Sequence, residues 1–583
     1  MRSPWGRWVF MATCIFVMSA CTSEGKSAPS QPNTSLVTTT SLPVDRLAVL
    51  STSPSVESVG NYELLDFVVD LEADYSNPFD QREVSLDATF NAPDGTDMKV
   101  PGFWDGREQW KIRFTPSQVG EWSYGVTVSD HRGLSQPSNG SFVVTESDRR
   151  GWLQIGNTVI PSYSPRYLAW SDGTPWYGRG HADLNMTMGG PAPDGQGLRL
   201  FNEMPEAGEN YVMWWPSWVN NFVAQDYDDY APAQMEIIDF ILREAEANDV
   251  TVVYTIWTHQ YLRTDNHAWG DGRWQHNGFR ELTDIAGFFT DEESLAWQDN
   301  YYRYIIARWG YSPAIAMWQT ITEIDGTESY DQTNPWHEKV NAYFQEHDPY
   351  RHPTTATMSG SVDWPEGHAV MDLPQVHLYE FLNDPIEAAA QLARWTELMW
   401  DGEEKPNWVG EYGERGQQSY PEMLHHSTWA ALGAGAAMTP IEWNDGNAYG
   451  QFDDRMASDM ARFATFIEEV PLVTYDPESV TVTSSDPEVR GWAVAGEAGG
   501  VLWVQDFALE GTSMDDIRAD QTVRSGVSVT LDTLAGGTWT VSPYDTWAGV
   551  WLEPLTVDCP GDQPCGLTLP DFSRDLAFKL ERG

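Results

Sequence analysis

The sequence predicts an α/β protein, a (β/α)8 (TIM) barrel with a β-sandwich on each side. Three observations predict it. Between about 151 and 470, apolar strand-like runs alternate with amphipathic helical stretches. The flanking segments, 56–150 and 471–583, carry only short alternating runs broken by Gly, Pro, Asn and Asp. With 583 residues, 41% of them hydrophobic, the chain can bury several cores, about three or four domains' worth.

The first segment, 1–21, reads as an export signal. Arg2 and Arg7 precede an apolar run from Trp8 to Ala20, too short to span a bilayer, which needs about 20 apolar residues. Met18-Ser19-Ala20-Cys21 resembles a bacterial lipoprotein box, which implies lipidation at Cys21 and a surface anchor as the sole membrane attachment. The stretch 22–55 is rich in Ser, Thr and Pro and reads as a flexible tether. Cys14 leaves with the signal, so Cys559 and Cys565 remain, and an exported chain pairs them as a small disulfide loop.

Composition narrows the partners. The chain has 34 Lys+Arg against 86 Asp+Glu, a net charge of −52. So acidic a surface lacks the basic footprint of a nucleic-acid partner and suits a soluble extracellular protein. Its 29 Trp serve large aromatic cores or stacking on the flat faces of sugars.

The runs Leu65–Leu71, Val84–Phe90, Trp110–Phe114, Trp122–Val128 and Ser141–Val144 predict the strands of the first sandwich. Asn77-Pro78-Phe79, Pro101-Gly102-Phe103-Trp104-Asp105-Gly106 and Gly120-Glu121-Trp122 resemble the 5060 family of domains of unknown function. That resemblance implies a position in front of a glycoside-hydrolase barrel.

In the central segment, Ala233–Asn248 places Met235, Ile238, Ile241, Leu242 and Ala245 on one helical face, and Val250–Trp257 follows as a strand. Thr290-Asp291-Glu292-Glu293 reads as a capping box for a helix ending at Trp309. Strands are predicted at Ala314–Ile321, Thr354–Met358, Val376–Tyr379, Asn407–Tyr412 and Ala434–Trp443. Helices are predicted at Trp336–His347, Pro385–Trp400 and Tyr420–Leu432. A doubly wound open sheet is the rival, but no Gly-rich phosphate turn follows any strand. Short runs from Val480–Thr483 to Leu576–Leu580 predict the second sandwich.

In such a barrel, reactive groups sit at the C-terminal ends of strands. Two acids do so: Glu323 after Ala314–Ile321, and Glu411 after Asn407-Trp408-Val409-Gly410. An acid ending an apolar strand is costly unless it faces a polar pocket or a partner. Two of them suit glycosidic cleavage, in which one carboxyl protonates the leaving oxygen and the other meets the developing positive charge. Glu442 and Asp445 are lower-ranked substitutes, because Val-Gly-Glu-Tyr-Gly around Glu411 matches known sites better.

These positions resemble clan A of the retaining glycoside hydrolases. The resemblance implies Glu323 as acid/base, Glu411 as nucleophile, Tyr379 as the residue orienting the nucleophile, His377 beside it, and Trp443 flooring the sugar site. It further implies a substrate contact at His259 and places Thr322 where the clan binds the sugar; Trp215, and Asp183 by its place after the first strand, are further candidates to line the cleft. No cofactor is implied, and the scattered His residues lack metal-ligand spacing. Two departures stand out: Thr322 replaces the usual Asn, and Met213 replaces an Arg. They leave open a non-catalytic glycan-binding lipoprotein and, more weakly, an adhesion protein whose barrel is a spacer. Each of these side chains also has a packing role open to it, as do Trp257, Trp318 and Trp408 inside strands.

Overall fold

The computed structural model describes residues 46–182, 196–219, 222–223, 226–266, 268–379, 384–413, 421–443 and 454–583. The expected signal, Cys21 and most of the expected tether lie outside them, as do Asp183 and Asp445. Among the described residues no helix is long and apolar enough to cross a membrane.

The N-terminal region consists of two sheets, antiparallel except that Ser58–Gly60 runs parallel to Ser138–Thr145. One runs Ala48–Pro54, Leu65–Glu72, Trp110–Phe114, Phe103–Trp104; the other runs Ser58–Gly60, Ser138–Thr145, Gly120–Asp130, Ser85–Asn91, Asp97–Pro101. Alternation along Leu65–Glu72 sends Leu65, Phe67 and Val69 inward, where they share one core with Leu86, Ala88 and Phe90 of the other sheet. The strand Ala48–Pro54 corrects the expected tether, whose last residues pair with Leu65–Glu72. Of its side chains only Ala48 is buried. An edge strand that buries so few of its side chains has no hydrophobic period to betray it.

The central region is parallel. Gly180–Ala182, Tyr211–Trp214, Thr251–Thr258, Ile315–Thr322 and Thr354–Thr355 pair in chain order, and Gln375–Leu378 pairs with Trp408–Tyr412. Every residue of Thr251–Thr258 and Ile315–Thr322 is buried, as in a sheet covered on both faces. The expected strand Ala434–Trp443 forms only isolated bridges, Tyr412 with Glu442 on one side and Gly178 with Met438 on the other. Thr439 donates to Gly178 and Ile441 to Val409, but Pro440 between them has no N–H for a ladder. The helix Glu292–Trp309 is capped by Asp291, whose carboxylate accepts from the amides of Glu293 and Ser294. Thr290, the expected cap, instead closes the preceding helix Ile285–Thr290 through a bond to the Ala286 carbonyl.

The N-terminal region docks through the segments that resemble the 5060 family. The Phe79 ring packs on Tyr230 and Tyr304, its carbonyl accepts from Asn300 Nδ2 at 2.8 Å, and the Trp104 carbonyl accepts from Tyr304 at 2.7 Å. The C-terminal region holds a seven-stranded antiparallel sheet and a three-stranded one around a common core. Cys559 and Cys565 are disulfide-bonded within it. This region rests on the helix Pro421–Ala434, and a helix not read from the sequence, Asp454–Ile467, packs beside it.

Candidate active site

Glu323 ends the strand Ile315–Thr322 in a left-handed backbone conformation, φ 54° and ψ 56°. For a residue with a β-carbon this is strained by about 1 kcal/mol or more, and such strain concentrates at functional sites. The loop after Thr354–Thr355 holds it there. The Glu323 amide donates to Thr357 Oγ1 at 2.8 Å, and the Ile324 amide to the Thr357 carbonyl at 2.9 Å.

The turn sends the Glu323 carboxyl into a buried polar cluster. His377, on Gln375–Leu378, places Nδ1 2.9 Å from Glu323 Oε1 and 3.2 Å from Glu411 Oε2. Tyr379 Oη donates to the same Glu411 oxygen at 2.5 Å. The Trp269 indole N–H donates to Glu323 Oε2, and His259 Nδ1 lies 3.5 Å from that oxygen. One oxygen of each carboxyl and His377 Nδ1 all lie within 4.8 Å of one another. The structure thus brings together Glu323, Glu411, His259, His377 and Tyr379, from four strand ends distant in sequence. The same spacing is that of three donor atoms around a cation. His377 Nδ1 lies between the two carboxyls, and no fourth ligand joins the group among the described residues.

The electrostatics follow from burial and pairing. Burial works against a charge on His377, but Glu411 and Glu323 outweigh it and raise its pKa. Burial raises Glu323, yet the hydrogen bond and charge of His377, with lesser help from His259 and Trp269, bring it below the usual range. Burial pushes His259 down to about 4, against the charge of Glu323, and its Nε2–H donates to the Trp269 carbonyl at 3.2 Å. Nearby Asp325 is raised, by burial and then by the Glu323 charge, while Ser359 holds it from the next loop.

The remaining expected residues divide. Trp443 and Trp215 stack with ring centroids 5.0 Å apart, and the Trp215 indole donates to Met213 Sδ at 3.3 Å. Thr322 is fully buried with its hydroxyl 3.5 Å from Thr357 Oγ1, beside the strand end that carries Glu323. Glu442, buried beside Tyr412, is not part of the carboxyl–imidazole cluster. Trp257, Trp318 and Trp408 are buried in cores.

Sequence reasoning missed Trp269 and Thr357. Trp269 lies in a loop without periodicity, and its signal was the crowding of Trp, Gly and Asp at 265–274. Thr357 is an ordinary Thr in sequence, and only its place beside the Glu323 turn marks it.

Residues 58–129 match the family described as a domain of unknown function (DUF5060). No curated protein matches the chain in sequence. Among solved structures, a provisionally named glycoside hydrolase from Bacteroides vulgatus is similar over 91% of this chain and 100% of its own, with 17% identity and a TM-score of 0.64. A family 5 glycoside hydrolase from the same species is similar over 74% of this chain and 94% of its own, with 13% identity and a TM-score of 0.50. At such identities the likeness is one of fold: this α/β chain is folded like solved glycoside hydrolases.

Proposed function

We propose that this protein is a retaining glycoside hydrolase acting on an extracellular poly- or oligosaccharide, with Glu411 as nucleophile and Glu323 as acid/base. The observation that carries the proposal is the approach of the two carboxyls to within 4.8 Å at the C-terminal ends of parallel strands. Retaining sites place them about 5–5.5 Å apart, and inverting ones farther to admit a water. The architecture proposed is a (β/α)8 barrel at 151–470 between β-sandwiches at 56–150 and 471–583, the first extended back to Ala48.

In this mechanism Tyr379 and His377 orient Glu411 for attack on the anomeric carbon. Glu323 gives its proton to the leaving oxygen, and His377 Nδ1, 2.9 Å away, is the store from which Glu323 Oε1 is protonated. Glu323 then takes a proton from the water that releases the glycosyl-enzyme. The Trp215–Trp443 stack offers an apolar face to a sugar ring. Glu411→Gln should fold normally and lose at least about 1000-fold in turnover on a polysaccharide or aryl glycoside panel, with the first product keeping its anomeric configuration. Unchanged turnover, or inversion in the wild type, would overturn the assignment.

The buried Thr322 hydroxyl and the Met213–Trp215 contact favour a second reading, a glycan-binding protein without turnover. Retention on immobilised glycan with no released product would select it. We further propose export and lipid anchoring at Cys21. Cys21→Ala should abolish incorporation of labelled fatty acid and release the protein from membranes.

A further inference from the structure

Glu323 is gripped from a loop outside its own strand. After Thr251–Thr258 the chain forms the 3-10 turn His259–Leu262 and continues through Trp269, whose indole N–H reaches Glu323 Oε2. This loop is bound to the turn following Glu323 along its length. The Glu328 amide donates to the Leu262 carbonyl at 3.1 Å, and the Thr264 amide and hydroxyl both donate to Glu328 Oε2 at 2.7 Å. Arg263 is the anchor. Its fully buried guanidinium donates to the Trp269 carbonyl, to Gly270 at 2.7 Å and, across the gap, to Gly326 at 3.2 Å. A β-carbon at Gly326 would stand 2.9 Å from the His259 ring and 3.1 Å from that of Trp269, so only glycine lets the two rings close over the turn. Those rings pack with centroids 5.1 Å apart.

We propose that Trp269 is a positioning residue for the acid/base: its N–H fixes one oxygen of Glu323, and Arg263 locks the indole in place. The proposal rests on Glu323 being the acid/base of the preceding section. Two donors from opposite sides, Trp269 on Oε2 and His377 on Oε1, define the plane of the carboxyl and hence the direction in which its proton is delivered. Removing one leaves the carboxyl free to rotate and less acidic, which is consistent with the lowering of Glu323 to which Trp269 contributes.

Trp269→Phe keeps the ring and deletes the donor. The limb of the kcat/KM pH profile set by Glu323 should move up by about one pH unit. The loss of kcat/KM should be about 10-fold or more for the natural saccharide and close to nil for a 2,4-dinitrophenyl glycoside, whose leaving group needs no proton. Arg263→Gln should reproduce both effects with the indole still present. A profile superimposable on that of the wild type, or an equal loss for both substrates, would overturn the proposal. A readout without turnover separates it from the functional assignment. In the 15N-labelled protein, the indole cross-peak that vanishes in Trp269→Phe should titrate in the wild type and stay fixed in Glu323→Gln. A peak indifferent to Glu323→Gln refutes the positioning role. A peak that titrates as expected while Glu323→Gln and Glu411→Gln retain full turnover upholds the contact and removes Glu323 and Glu411 from the catalytic roles.

Discussion

The two flanking β regions are fastened to the parallel region by the same device built from opposite chemistry. On the N-terminal side, Asp239 of helix Pro232–Ala247 lies between two arginines. Arg113 of the N-terminal sheet donates to it at 2.7 Å and Arg308 at 2.6 Å, and the Trp309 indole adds a bond at 2.8 Å. On the C-terminal side the cation is central. His425 of helix Pro421–Ala434 donates through Nδ1 to Asp459 at 2.8 Å and through Nε2 to Asp575 of the C-terminal sheet at 3.2 Å. Asp575 also accepts from Trp547 at 2.6 Å and Trp503 at 3.1 Å. All six charged groups are buried. Each clamp closes a desolvated charge with two opposite ones, and each fails badly when one partner is lost. The difference lies in titration. An arginine keeps its charge at any accessible pH, whereas a histidine can surrender it.

The largest effect should come from the N-terminal clamp. Asp239→Ala leaves two buried guanidinium groups facing each other and should cost about 3–5 kcal/mol, read as a fall in melting temperature by calorimetry. His425→Gln should cost less, about 2–3 kcal/mol, because Asp575 keeps its indole donors and Asp459 keeps Arg462 at 2.7 Å.

The pH response separates the clamps further. The two aspartates raise His425 to about 9 against the opposing effect of burial. Its folded pKa exceeds its unfolded one, so its stabilisation is complete below about pH 6.5 and is lost as pH rises through about 9. Asp239 is lowered, its two arginines outweighing burial, so its contribution is complete above the ordinary carboxylate range and is lost as pH falls from there through its depressed folded pKa. Hydrogen exchange at pH 10 should therefore loosen the C-terminal sheet before the N-terminal one, and His425→Gln should erase that difference. The same order of loosening in wild type and variant would mean that the two clamps do not differ in the way proposed.

Interface pairs nearer solvent supply the small end. Arg303 bonds Ser85 Oγ at 3.0 Å and the Leu86 carbonyl at 2.9 Å and pairs with half-exposed Asp87, so Arg303→Ala should cost about 1 kcal/mol. Arg107 and Glu236 are both exposed, and Arg107→Ala should shift stability by less than about 0.5 kcal/mol, vanishing in high salt.

Legibility in the sequence followed the range of the interaction. The helix Glu292–Trp309 was readable because its signals, an apolar stripe and an acidic first turn, lie within a few residues. Its cap was misplaced by one position because Thr290 had a second use in the helix before it. The strand Ala48–Pro54 was invisible, since a backbone ladder to Leu65–Glu72 leaves no mark on side-chain type. In the site, Glu323 and Glu411 were legible as acids ending apolar strands, and His377 and Tyr379 through the resemblance to clan A. Trp269 and Thr357 were not, because an indole in an irregular loop and a threonine in a turn have no distinctive spacing.

The sequence by itself determined the alternation of structure, two antiparallel β regions around a parallel α/β region, because the periods of 2 and 3.6 are local properties of the chain. It also determined which carboxyls end strands, since burying an acid there without a purpose is costly. Only the tertiary structure decided that His377 lies between both carboxyls, that Trp269 meets Glu323, and that one flank is locked by arginines and the other by a histidine. Each of those depends on groups tens to hundreds of residues apart coming within about 3 Å in a low-dielectric interior, where a single donor or charge sets protonation and geometry.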